Sequence, residues 1–274
     1  GTPKFVKPFA SAFRVKNWGI FTPGTSVGFL SRSRRNLLSR FSFSNFRSIS
    51  ALRAVLLLAG AILTSVKEKR HHLRNMATVA HQMFHTFEDT YNTYKDGRDV
   101  EMEMRLGKKN MNGIFDTNIP QAQWTSVKNG LDKYTEWEMT DHQKFTVFRG
   151  KKGVRLTEEQ DTGERKCIRK ITRENKDFPV DVWNVRFGVS VEKPIKEEDQ
   201  PEEFDDTLEK ERWSYIRKNL RIDLTVLTPE DMDAEEPIHQ IELEMLPPYT
   251  EDRDTLFNQM YKVFDVLKLI PSRP

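Results

Sequence analysis

Apolar residues recur along this chain with two distinct periods. Between residues 79 and 94, Val79, Met83, Phe84, Phe87, Tyr91 and Tyr94 fall three and four apart, which predicts one buried face of a helix. Asp96-Gly97 supplies the stop. The period then drops to two. Short alternating runs follow at Val100 to Leu106, Phe145 to Phe148, Val154 to Thr157, Lys166 to Thr172, Val182 to Val191, Trp213 to Ile216, Leu220 to Val226 and Ile238 to Met245. Many short strands with turns between them predict an antiparallel sandwich or barrel. Asp161-Thr162-Gly163 reads as a hairpin turn, and the acid- and proline-rich stretch Lys193 to Asp206 as a solvated loop. Leu256, Met260, Val263, Phe264 and Leu267 return to helical spacing, so the plan is helix, about eight strands, helix.

Charge divides the 274 residues unevenly. The formal net charge is +3, but residues 1–75 carry 14 Lys and Arg against one acid, Glu68, so a +13 arm precedes a −10 body. The arm is rich in Ser and Arg, and its one apolar run, Ala54 to Ile62, is far shorter than the roughly 20 residues of a membrane span, so no membrane association is expected. All nine methionines lie at or after Met76. The preferred expectation is a native product that starts there, with residues 1–75 as disordered upstream sequence and 76–274 as one catalytic domain. An organelle transit peptide and an RNA-holding basic tail come second and third. A single cysteine, Cys167, excludes an intrachain disulfide framework and suits an intracellular, reducing compartment.

Alternation places Glu101, Glu103 and Arg105 on one face of the first strand and Val100, Met102, Met104 and Leu106 on the other. Glu242 and Glu244 repeat the pattern on the last strand. A sheet with one wet face explains either strand alone. Two Glu-x-Glu strands about 140 residues apart raise a second reading, in which both acidic faces point into a closed barrel. Confined carboxylates must take up protons or a cation, and an all-oxygen set suits a hard divalent ion, Mg²⁺ or Mn²⁺. Bases alternate in the same way on the intervening strands: Arg155, then Lys166 and Lys170, then Lys210 and Arg212, then Arg221 beside Asp223. A cation site next to Lys and Arg suits a polyphosphate.

These residues also carry a family resemblance. Glu101-Met-Glu103-Met-Arg-Leu-Gly107, Val154-Arg155-Leu-Thr157, Val185-Arg186-Phe-Gly-Val-Ser-Val-Glu192-Lys-Pro194, Lys210-Glu-Arg212-Trp-Ser-Tyr215, Arg221-Ile-Asp223-Leu-Thr225 and His239-Gln-Ile-Glu242-Leu-Glu244 stand in the order found in the metal-dependent RNA 5′-triphosphatases of the triphosphate tunnel metalloenzymes. The chain most resembles the short viral or protist members. The resemblance implies a closed eight-stranded antiparallel barrel, mostly β, with flanking N- and C-terminal helices. It also implies metal ligation by Glu101, Glu103 and Glu244 with Mg²⁺ or Mn²⁺, and phosphate contacts from Arg155, Lys170, Lys210 and Arg212. Glu192, Asp223 and Glu242 would be the acids that orient the bases or the attacking water, with Glu192 favoured for the water. Gln240 stands where relatives carry a third acid. The implied reaction is hydrolysis of the γ-phosphate of triphosphate-ended RNA during mRNA capping, with NTPs as side substrates. An RNA guanylyltransferase is the candidate protein partner, the setting is nuclear or viral, and a monomer is slightly favoured. A tunnel enzyme for tripolyphosphate or thiamine triphosphate, and a non-catalytic anion- or partner-binding barrel, are the competing readings.

Other features favour ordinary roles. His81 and His85 have zinc-compatible spacing but no third ligand. Cys167 to Arg173 has the length of a phosphatase loop but alternates like a strand, and Trp124, Trp137, Trp183 and Trp213 are expected in the core or barrel wall.

Overall fold

A computed structural model describes residues 78–230 and 236–271. The expectations for the basic arm, 1–75, lie outside the described residues. Helix α1 spans 78–94, with β1 at Val100–Lys109, β2 at Phe115–Asp116 and α2 at Gln121–Asp132 following it. Next come β3 (Met139–Arg149), β4 (Val154–Glu159), β5 (Arg165–Val180), β6 (Trp183–Pro194), β7 (Asp206–Arg217), β8 (Leu220–Pro229), β9 (Ile238–Met245) and α3 (Arg253–Leu267).

Eight strands pair antiparallel in the order β1-β6-β5-β4-β3-β7-β8-β9, and β9 returns to pair with β1. The sheet is therefore a closed barrel, as expected. The short β2 is a ninth strand pairing with β1 alone. Closure leaves the barrel without an exposed edge.

The main core lies outside the barrel. Met102, Met104 and Leu106 of β1, Val185, Phe187 and Val189 of β6, Ile222 and Leu224 of β8, and Ile241 and Leu243 of β9 turn outward under the helices. From α1, Ala80, Met83, Phe84, Phe87 and Tyr91 cover them, and Leu256, Met260, Val263 and Phe264 do so from α3. Phe87 and Phe187 meet with ring centroids 4.3 Å apart. Each Val, Leu, Ile, Phe or Met among them contributes about 1.5–3 kcal/mol on leaving water. Asp252 caps α3, its carboxylate accepting from the Thr255 amide at 2.9 Å.

Several local features depart from the sequence pattern. Helix α2 has only Trp124, Val127 and Leu131 as buried positions, and it contains Gly130, a poor helix former, because a Cβ there would stand 2.7 Å from Leu269. Strand β3 begins six residues before Phe145, in a polar stretch exposed on the wall. A bulge between Thr172 and Glu174 interrupts the alternation of β5, which hides its continuation to Val180. The Lys193 to Asp206 stretch is partly solvated, yet its Ile195 and Phe204 pack on a small outer cluster of Val154, Leu156 and Cys167. The Asp161 to Gly163 turn joins β4 and β5, with Gly163 in the left-handed region that turn needs (φ 71°).

Candidate active site

The inner wall of the barrel is charged because each strand contributes its polar parity to it. Strands β1 and β9 lie side by side with Glu103 directly opposite Glu244 and Arg105 opposite Glu242. Glu101 is opposite Ser190 on the other neighbour of β1 and accepts from its hydroxyl at 2.8 Å. The two acidic strands of the sequence are thus adjacent, and their glutamates share one lumen.

Cations lie among these acids. Lys170 Nζ is 2.5 Å from Glu101, 3.4 Å from Glu103 and 3.8 Å from Glu192. Arg155 reaches Glu192 at 2.9 Å. Arg105 pairs with Glu103 and approaches Glu242 at 3.5 Å. Arg221 bridges Glu244 and Asp223, the latter at 2.9 Å, and Ser214 donates to the other oxygen of Asp223 at 2.6 Å. Arg212 lies over the Phe145 ring, donates to Gln143 at 2.5 Å and comes within 4.0 Å of Asp223. Lys210 makes no hydrogen bond or ion pair among the described residues, although Glu242, Arg212, Arg155 and Asp223 all act on its charge.

The electrostatics follow from burial. Glu244 is pushed up to about 7 by removal from water, and Glu101, Asp223 and Glu103 add to the shift against the opposing Arg221. Burial and Glu242 likewise raise Glu103, and burial and Glu101 raise Glu192. Glu101 is held low, because Lys170 and Ser190 outweigh its burial. Lys210 is lowered by burial, so its ammonium is poorly compensated and suited to an incoming anion.

Every site residue expected from the sequence, Glu101, Glu103, Arg155, Lys170, Glu192, Lys210, Arg212, Asp223, Glu242 and Glu244, therefore faces this lumen. Arg105, Arg221, Gln143, Ser190 and Ser214 also face the lumen and touch these groups, without a role assigned from the sequence. Arg105 and Arg221 stand two residues from Glu103 and Asp223 on the same parity, which was the available signal. Gln143 gave none, since the polar half of β3 does not alternate. Gln240 donates its amide to the Thr117 hydroxyl at 2.7 Å, a structural contact at the end of the tunnel.

A divalent metal fits this donor set. Glu101, Glu103 and Glu244 are hard oxygen donors facing one lumen from paired strands, and burial raises Glu244 even against its pairing with Arg221, so a cation placed there would favour its ionised form. Among the described residues no three acids or histidines are already gathered as a ligand cage, since each of these carboxylates faces a Lys or Arg instead.

A family model described as the mRNA capping enzyme, beta chain, matches residues 98–265. The chain belongs to that family. It is accordingly an RNA 5′-triphosphatase of mRNA capping, a hydrolase of a phosphoanhydride bond. The fold is similar to that of the Schizosaccharomyces pombe Pct1 RNA triphosphatase, with TM-score 0.55 and 17% identity over 73% of this chain and 93% of that one. A second structure of Pct1, in complex with the Spt5 CTD, gives TM-score 0.54 and 16% identity over the same shares. No curated protein sequence matches the chain. As a family, the capping triphosphatases of this type are metal-dependent.

The remaining candidates keep ordinary roles. His81 and His85 are exposed on α1, and His81 stacks on Phe257. Cys167 is buried in β5, and burial pushes its thiol up, away from reactivity. Trp124 and Trp183 are core residues, with Trp137 and Trp213 packed against the core. Among the described residues no helix is long and apolar enough to cross a membrane.

Proposed function

We propose that Glu101, Glu103 and Glu244 hold Mg²⁺ or Mn²⁺, and that the chain uses this ion to remove the γ-phosphate from triphosphate-ended RNA. The observation that carries the reading is the pairing of β1 with β9, which sets Glu103 opposite Glu244 in a lumen shared with Lys210 and Arg212. When bound, the ion acts as a Lewis acid on a phosphate oxygen. The protein's own residues do the rest. Lys210, Arg212, Arg155 and Lys170 bind the phosphates and neutralise charge as the β–γ anhydride breaks. Asp223 fixes Arg212 and Arg221, and Glu242 fixes Arg105. Glu192, raised by burial and held by Arg155, orients the attacking water and takes its proton.

The −10 body gives little grip on an RNA backbone, so recognition concentrates on the triphosphate end and free NTPs are also cleaved. Diphosphate RNA is the substrate of a guanylyltransferase, which makes that enzyme the natural partner and a nuclear or viral setting the natural location.

Phosphate release from γ-labelled RNA, with and without Mg²⁺, tests the reading. Metal-dependent release that vanishes in Glu103→Ala is expected, and metal-independent release would overturn it. Faster cleavage of tripolyphosphate than of RNA ends would instead favour a small-triphosphate enzyme.

A further inference from the structure

A cavity of about 310 Å³ lies outside the barrel, enclosed by the β7–β8 turn, the segment that follows β9 and one face of α3. It shares no lining residue with the tunnel site. Three cations border it, Arg217 and Lys218 from the end of β7 and Lys262 from α3, and among the described residues no acid lines it. The acids beside these cations are not part of the lining. Glu136 pairs with Arg217 at 2.9 Å, Glu138 accepts from the Lys218 backbone amide at 2.9 Å, and Asp265 pairs with Lys262 at 2.6 Å. Such a grouping stands out in a body whose net charge is negative.

Lys262 is buried, at 3% exposure, and it shares the Asp265 carboxylate with Lys268, which pairs with that group at 2.8 Å. One carboxylate thus serves two ammonium groups. Burial pulls Lys262 below its ordinary range; Asp265 opposes this, and Lys268 and Arg217 add to it. An anion seated in the cavity would relieve the repulsion among these like charges. Lys218 holds left-handed backbone (φ 52°), which Gly or Asn adopts at lower cost, so the turn presents its ammonium at a conformational expense.

The remaining lining suits an organic phosphate better than a bare ion. Leu220, Pro248 and the ring of Tyr249 give it an apolar side. That ring is fixed by its hydroxyl, which donates to the Val100 carbonyl at 2.8 Å, and by an edge contact with Tyr91 at 5.9 Å. Asn258 brings an exposed amide from α3 to the same space. The volume lies at the lower end of the roughly 300–1,000 Å³ of small-ligand pockets, room for one nucleotide and not for a strand.

We propose that this cavity is a second ligand site, taking a nucleoside monophosphate with its phosphate on Lys262, Lys218 and Arg217 and its base against Tyr249. The site does not depend on the chemistry of the tunnel.

Calorimetric titration of the full chain with AMP, inorganic phosphate and adenosine, without divalent metal, tests it. Lys210→Ala combined with Arg212→Ala weakens the tunnel's hold on phosphates, and this variant should still bind AMP as the wild type does. Lys262→Met should weaken AMP binding about tenfold or more, the loss of one charge-assisted contact. Thermal melting reports whether that variant is folded. Lys218→Asn combined with Asn258→Ala changes only exposed positions and should weaken AMP binding to a similar degree while phosphate release in Mg²⁺ stays unchanged. Adenosine and inorganic phosphate should each bind at least about tenfold more weakly than AMP. No AMP binding by the wild type at about 1 mM would overturn the site, as would binding that the tunnel variant loses and both cavity variants keep. Phosphate binding as tight as AMP would overturn the nucleotide assignment.

Discussion

The two faces of β1 are built from alternate residues of one strand and do opposite work. Met102, Met104 and Leu106 are wholly buried outside the barrel under α1 and α3, where shape and apolar area hold the fold together. Glu101, Glu103 and Arg105 face inward, where charges are matched by opposite charges on the same strand and on others. A barrel of about eight strands has an interior just wide enough for side chains to fill or for one small ligand. Here the apolar layer is displaced to the outside and covered by helices, which frees the interior for polyphosphate chemistry. Stability and activity should therefore respond separately to substitutions one residue apart.

The largest separation is expected at Glu103. Glu103→Ala should lower kcat for phosphate release on the order of 10³-fold, the several kcal/mol that a lost metal carboxylate represents, with melting little changed. A melting collapse with normal activity per folded molecule would mean that the inner face is structural. Phe87→Ala should do the reverse on the outer side. Loss of its packing on Phe187 and Tyr91 should cost about 3–5 kcal/mol in denaturant unfolding, while kcat of the folded fraction stays within a few fold.

Much of this division was legible beforehand, because a period of two sorts residues by face whatever the fold. It put β1, β4, β6, β8 and β9 close to their true bounds. Alternation alone left a wet outer face open; the family resemblance supplied the site residues, and the barrel's parity turns each of them into the lumen. What escaped were segments whose signal is erased by their surroundings. The exposed start of β3 has no buried face to alternate, the bulge at Arg173 flips the parity of β5, and α2 buries only three side chains. The adjacency of β1 and β9 could be suspected from their matched Glu-x-Glu patterns. The carboxylate–cation pairing of the lumen could not, since it depends on which strands face one another across the barrel.

Smaller effects sharpen the contrast. Ser214→Ala removes one hydrogen bond to Asp223 and should cost about 0.5–1.5 kcal/mol of stability, with a modest fall in kcat if Asp223 thereby loses its hold on Arg212. Calorimetry and steady-state rates measured together separate the two. Smallest of all should be the pH response of Asp177. Hydrogen bonds from Arg186 hold its carboxyl below the ordinary range against partial burial, with Lys109 assisting. A depressed carboxyl contributes stability above its unfolded-state value and loses it as pH falls through the folded one. Asp177→Asn should therefore lower Tm slightly at pH 7 and flatten its decline below about pH 4, the ordinary Asp range. An unchanged acid limb would place the pH sensitivity elsewhere.

Pairing of β1 with β9 also governs when the enzyme can come into being. Residues 103 and 244 are neighbours in space though 141 positions apart along the chain, so the seam closes only after everything between them has been made and threaded into place. Such non-local contacts slow folding, since loop-closure entropy must be overcome before they form. A nascent chain cut short before β9 would hold two of the three proposed metal carboxylates, Glu101 and Glu103, without Glu244 or a closed barrel, which ties the birth of activity to the arrival of the last strand from the ribosome.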